Sequence, residues 1–140
     1  MRSYTKTYSF GPILGNVTHD MTAPSERHWQ VMFGRVNVVA DGNAADRTVF
    51  IDVRDSAGNV LWRSPENGTV ITLGQTKAVD FTFGNGAAYS SGAALRATEI
   101  AVIACPEVHL HEGDMVRVYC GAGLVGDAYS GAFRVRESSI

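Results

Sequence analysis

Arg47–Ser64 reads RTVFIDVRDSAGNVLWRS, and its pattern decides the fold class. Val49, Ile51 and Val53 alternate with Phe50, Asp52 and Arg54, the period-2 arrangement of a strand with one buried face. Asp55-Ser56-Ala57-Gly58-Asn59 then concentrates turn-forming residues, and Val60-Leu61-Trp62 resumes an apolar run. The segment predicts a β-hairpin.

Outward from this hairpin the same pattern recurs. Trp29, Val31 and Phe33 share one parity, and after Gly34 the residues Val36 and Val38 take the other, so a bulge or bend is expected at the glycine. Thr69–Leu73 and Lys77–Phe83 flank Gly74-Gln75-Thr76 as a second hairpin. Ile100–Cys105 is a continuous apolar run suited to a buried strand and ended by Pro106, whereas Ala93–Glu99 has a composition compatible with helix. Glu112-Gly113-Asp114 is a turn leading into a strand from Met115 to Cys120, and Ala132–Glu137 is the last strand. Gly84–Ala94 and Gly121–Gly131 read as exposed glycine-rich loops. The expected fold is all-β: a single sandwich of eight or nine antiparallel strands over residues 23–140. In residues 1–22, Tyr4–Phe10 alternates aromatic and polar side chains, then Gly11-Pro12 breaks the pattern and a loop continues past Gly15-Asn16 to Asp20. This leader reads as an N-terminal arm reaching a neighbour or as an edge strand of the same sandwich.

A chain of 140 residues with 45% apolar and 19% charged content can bury one self-sufficient core. Its formal charge is −2 and its arginines are scattered, which argues against nucleic acid or an anionic membrane as partner. No apolar window is long enough to cross a bilayer as a helix, and the segment MRSYTKTYSFGPILG lacks the apolar core of a secretory signal. Cys105 and Cys120 sit among apolar residues in expected strands, so buried free thiols are the first reading and a cross-strand disulfide the second. Neither CxxC nor a Cys/His cluster is present, and no zinc site is expected.

His109 and His111 would share one face of a strand, the spacing with which cupin-type barrels hold a metal. Glu112 falls on the wrong face, no histidine follows, and His19 and His28 lie far upstream, so solvated histidines at a strand end are expected and no metal. Ser130-Gly131 and Ser90-Ser91-Gly92 lack the nucleophile-elbow pattern, and the glycine runs lack a strand-loop-helix setting for phosphate. No catalytic residue and no cofactor is expected. Among the aromatics, Trp29 suits the core and Trp62 suits a hairpin cap, while Tyr89 and Tyr129 fall in expected glycine loops where no core needs them. With Tyr4, Tyr8 and Phe10 of the leader, these two tyrosines are the candidate partner-binding residues, better suited to a subunit contact than to a sugar platform.

Several segments in order carry a family resemblance: Arg27-His28-Trp29-Gln30-Val31 after a turn, Asp46–Val53, Asp55–Trp62, Glu112–Val118 and the terminal Phe133–Glu137. Over about residues 23–137 the chain resembles small jelly-roll-like β-sandwich virion proteins of tailed bacteriophages. It departs from their pattern at Ala45-Asp46, where a Gly-Asn pair is usual, and at His111-Glu112-Gly113, where a Pro-Ala-Gly turn is usual. The resemblance implies a non-enzymatic structural role: a capsid decoration (cement) protein bridging capsid subunits, a head-fibre base or a tail component. It further implies contacts with the major capsid protein and with copies of itself as a homotrimer. The expected location is the capsid surface of a virion assembled in the host cytoplasm. A tail or head-surface module that recognises host glycans is the alternative.

Overall fold

The computed structural model describes residues 2–45, 47–64, 74, 76–84, 100–121 and 124–139. These form ten strands and, among the described residues, no helix: β1 Ser3–Leu14, β2 His19–Thr22, β3 Arg27–Val39, β4 Thr48–Arg54, β5 Val60–Arg63, β6 Thr76–Phe83, β7 Ile100–Cys105, β8 Val108–Leu110, β9 Met115–Gly121 and β10 Ala128–Ser139. The larger sheet has the order β1-β10-β3-β6-β7, with β8 beside the first part of β3, and the smaller sheet the order β2-β9-β4-β5. The two sheets pack as a β-sandwich, burying Trp29, Val36, Val38 and Phe133 from one side with Val49, Ile51 and Val118 from the other.

The hairpin read from Arg47–Ser64 is present as β4 and β5, with Val53 opposite Trp62. Its turn is held by the Asp55 carboxylate, which accepts from the Ala57 and Asn59 backbone N–H groups at 3.0 and 2.9 Å. Gly58 takes φ +86°, a conformation glycine adopts without a Cβ penalty.

Four local expectations are corrected. The parity switch in β3 comes before Gly34: Phe33 pairs with Arg134 but Val31 with Val135, so Met32 is the extra residue and Phe33 leaves the Trp29/Val31 face. Gly34 has a different task, because a Cβ there would stand 2.3 Å from the Phe133 ring. Secondly, β6 and β7 pair in parallel, which the long 84–99 connection permits; the remaining pairs are antiparallel. Thirdly, Ala128–Gly131 belong to β10 and not to a loop, because Tyr129 has a core to fill. Finally, the break at Gly11-Pro12, a cis peptide, does not end β1, which continues past a register shift to Leu14. Residues 3–14 are thus an edge strand of the large sheet, and His19–Thr22 add a strand to the small one. The strand expected at Thr69–Leu73, the helix-compatible Ala93–Glu99 and most of the Gly84–Ala94 loop lie outside the described residues.

Cys105 is buried in β7 and Cys120 half-buried in β9, and both are free thiols. Burial pushes their pKa values up, to about 12 and about 11, so both are poor nucleophiles.

Candidate functional site

Alternation along β1 sends Tyr4, Lys6, Tyr8 and Phe10 to the inner side and Ser3, Thr5, Thr7 and Ser9 to the outer side. On the inner side a single carboxylate gathers the strand. Glu137 of β10 is 1% exposed and accepts hydrogen bonds from the Tyr4 and Tyr8 hydroxyls and from Trp29 Nε1, each at 2.8 Å. Lys6 Nζ stands 3.3 Å away at the solvent rim. Burial alone would raise the Glu137 pKa, but the bonds from Trp29, Tyr4, Tyr8 and Lys6 outweigh it and hold the group at about 2.

The candidate partner-binding residues therefore separate. Tyr4 is the most open, at 41% exposure; Tyr8 is half-buried against Trp29, ring centroids 4.7 Å apart. Phe10 packs on the core and stacks on His19 at 4.6 Å. Tyr129 is a correction: it is 1% exposed, its ring lies against Phe10, and its hydroxyl donates to the Val17 carbonyl. Burial pushes its pKa up to about 12. It is a core residue with a satisfied polar tip, not an exposed loop aromatic. Tyr89 lies outside the described residues. What β1 leaves to solvent is its Ser/Thr face and its free backbone edge, since β1 ends the described sheet.

The outer face of the small sheet is occupied by its own charges. Register places Asp20, Arg117, Asp52 and Arg63 in one rung across all four strands, alternating in sign. Arg117 Nε is 2.6 Å from Asp20, and Arg54 bonds both Asp52 at 2.8 Å and the Tyr119 hydroxyl at 2.7 Å. Phe50 stacks on Tyr119 at 4.6 Å with the Arg63 guanidinium over both rings. Asp52 is fully buried under these partners. Trp29 lies in the core. On the large sheet, outward Phe33 helps to line an open groove of about 390 Å³ with Thr7, Asn37, Ser130 and Arg134.

Sequence reading missed two arrangements. One is a buried clasp: Arg47, 0% exposed, donates to Asp127 at 3.0 and 3.1 Å and to Asp41 at 2.7 Å, tying the loop after β3 to the loop before β10. A charged pair with no apolar periodicity gives no local signal of burial. The other is a histidine cluster. Trp29 pairs with Leu110 and Gln30 with His109, so extending the register by one step sets His111 opposite His28. The imidazoles of His28 and His109 lie nearly parallel, 21° between their planes and centroids 5.1 Å apart, and His111 stands edge-on to His28 at 5.3 Å. His28 is 81 positions upstream of His109, and only strand pairing joins them.

No family model and no curated protein matches the chain. Among solved structures it is similar to a chain described as "Structure of infectious bursal disease virus Gx strain", at TM-score 0.42 and 14% identity. The alignment covers 96% of this chain and spans 32% of the other.

Proposed function

We propose that the protein is a non-enzymatic structural component of a virus particle, and specifically that it decorates the capsid of a tailed bacteriophage. On this reading it bridges copies of the major capsid protein as a homotrimer on the capsid surface. It has no nucleic-acid or membrane partner, and its particle is assembled in the host cytoplasm. The ordered series of hairpin motifs supports the family, and the two-sheet scaffold suits a rigid clamp. The observation that carries the reading is the long edge strand β1, whose outer side offers Ser3, Thr5, Thr7 and Ser9 and an open backbone edge. Such an edge accepts an added strand from a neighbour by main-chain hydrogen bonds. Many weak contacts of this kind, repeated over a shell, would reinforce it by avidity.

The test is co-sedimentation with empty heads of the phage that encodes the chain. Thr5→Lys with Thr7→Lys adds charge to the outer side and leaves the Glu137 knot intact. The wild type is expected to pellet with the heads and the double variant to stay in the supernatant. Equal pelleting of the two would discard β1 as the contact, and a wild-type protein that never pellets would discard decoration.

A further inference from the structure

We propose that His28 and His109, with His111 as a third donor, form a surface site for a late first-row divalent cation such as zinc, joining β3 to β8. This goes beyond the structural role proposed above and does not depend on it. The geometry begins with His28 Nε2 and His109 Nδ1, which face each other at 3.2 Å. Two nitrogens each about 2.0–2.1 Å from a tetrahedral ion stand about 3.3 Å apart, so the spacing of the pair matches that of two zinc ligands, and a turn of the rings would aim both lone pairs at one ion.

The protonation pattern also suits a metal. His109 Nε2 lies 2.8 Å from a Glu107 carboxylate oxygen, which only accepts, so the neutral tautomer that satisfies this contact carries its proton on Nε2 and presents the Nδ1 lone pair toward His28. A carboxylate behind a ligating histidine fixes the ring and raises its basicity, the usual outer-shell arrangement of histidine metal sites. In the metal-free chain, His28 Nε2 must be the donor in the shared hydrogen bond, and a cation would take the place of that proton.

Among the described residues no three donors already converge on one point. His111 supplies the third by turning. Its side chain is 74% exposed, so reorientation costs little packing, and its contact with Asp114 is a loose 3.7 Å. His109 is 43% exposed, which leaves the site open to an ion from solution. Imidazole nitrogens select zinc, copper and nickel over magnesium and calcium, which prefer oxygen. The mechanical consequence falls on β8, which pairs with β3 through three residues; a cation across the two strands would pin the 106–114 segment.

The experiment titrates the full chain with zinc chloride alone, by calorimetry and by thermal melting. We expect one ion per chain and a melting temperature that climbs with zinc concentration. His28→Ala and His109→Gln should each abolish the saturable heat and the zinc-dependent rise. Glu107→Gln should weaken binding about tenfold or more. Melts without zinc verify that the variants fold, and His19→Gln, on β2 of the other sheet, should bind as the wild type does. A wild-type chain without saturable uptake, or a folded His28→Ala that binds equally well, would overturn the site.

Discussion

Strand β10 has a buried carboxylate at each end, and the two are held differently. Asp127, just before the strand, and Glu137, near its end, are each 1% exposed. Asp127 meets the Arg47 guanidinium and the Asp41 and Leu124 backbone N–H groups, both at 2.8 Å, so its negative charge faces an equally buried positive one. Glu137 takes its closest bonds from neutral groups: an indole in the core and two phenols on the edge strand. Its cationic partners lie further out, Lys6 at 3.3 Å and Arg27 at 3.9 Å. The first arrangement locks loops that have no sheet of their own. The second fastens an edge strand through side chains, because β1 has a sheet partner on one side alone among the described residues.

Removing the carboxylate of the charged clasp tests the first half of that contrast. Asp127→Ala leaves Arg47 buried with Asp41 as its remaining carboxylate and orphans two backbone donors, which costs about 3–5 kcal/mol in comparable buried pairs. Urea denaturation should show a larger loss for this change than for the removal of any partner of Glu137. A loss below about 1 kcal/mol would mean that water reaches Arg47 and that the clasp is not buried in solution.

Glu137→Gln comes next. Glutamine keeps the shape but presents an amide NH₂ to at least one donor that cannot accept, and bonds to a charged acceptor contribute about 1.5–3 kcal/mol. The acid dependence follows from the same group. Its folded pKa, about 2, lies below the ordinary glutamate value of 4.5, so its contribution is complete above about pH 4.5 and disappears as the pH falls toward 2. Stability of the wild type should fall across that window, while Glu137→Gln should show a shallower decline. Parallel curves for the two would remove Glu137 as the acid-sensitive fastening of β1.

Why the sequence revealed some of this and hid the rest is a matter of range. Period-2 alternation in Arg47–Ser64 is local, and the sandwich was legible from it and from its repeats. Tyr129 was misplaced because Ser130 and Gly131 beside it look like loop chemistry, yet Gly131 has its own packing reason: a Cβ there would stand 2.1 Å from the Arg35 carbonyl oxygen. The Arg47–Asp127 clasp and the His28–His109 pair join residues 80 or more positions apart. Nothing at either end marks the partner until register is known. The aromatic alternation of the leader was visible, but its reason was not, since the inner-side tyrosines answer to a glutamate at the other end of the chain.

The smallest effect divides those tyrosines from each other. Tyr4 and Tyr8 donate to Glu137 over the same 2.8 Å, so bond length predicts equal losses for Tyr4→Phe and Tyr8→Phe. Exposure predicts otherwise. Tyr4 is 41% exposed, and water can replace its hydroxyl at the carboxylate, whereas Tyr8 is half-buried beside Trp29. Tyr8→Phe should therefore cost about 1.5 kcal/mol, the low end for a bond to a charged acceptor, and Tyr4→Phe less than about 1 kcal/mol. The double variant should lose more than the sum if Trp29 and Lys6 cannot by themselves hold the carboxylate in place, because neighbours in one hydrogen-bond network couple. Urea midpoints at neutral pH measure all three. Equal single losses with simple additivity would show that the phenols act independently, and that β1 is held by its backbone pairing to β10 more than by the Glu137 knot.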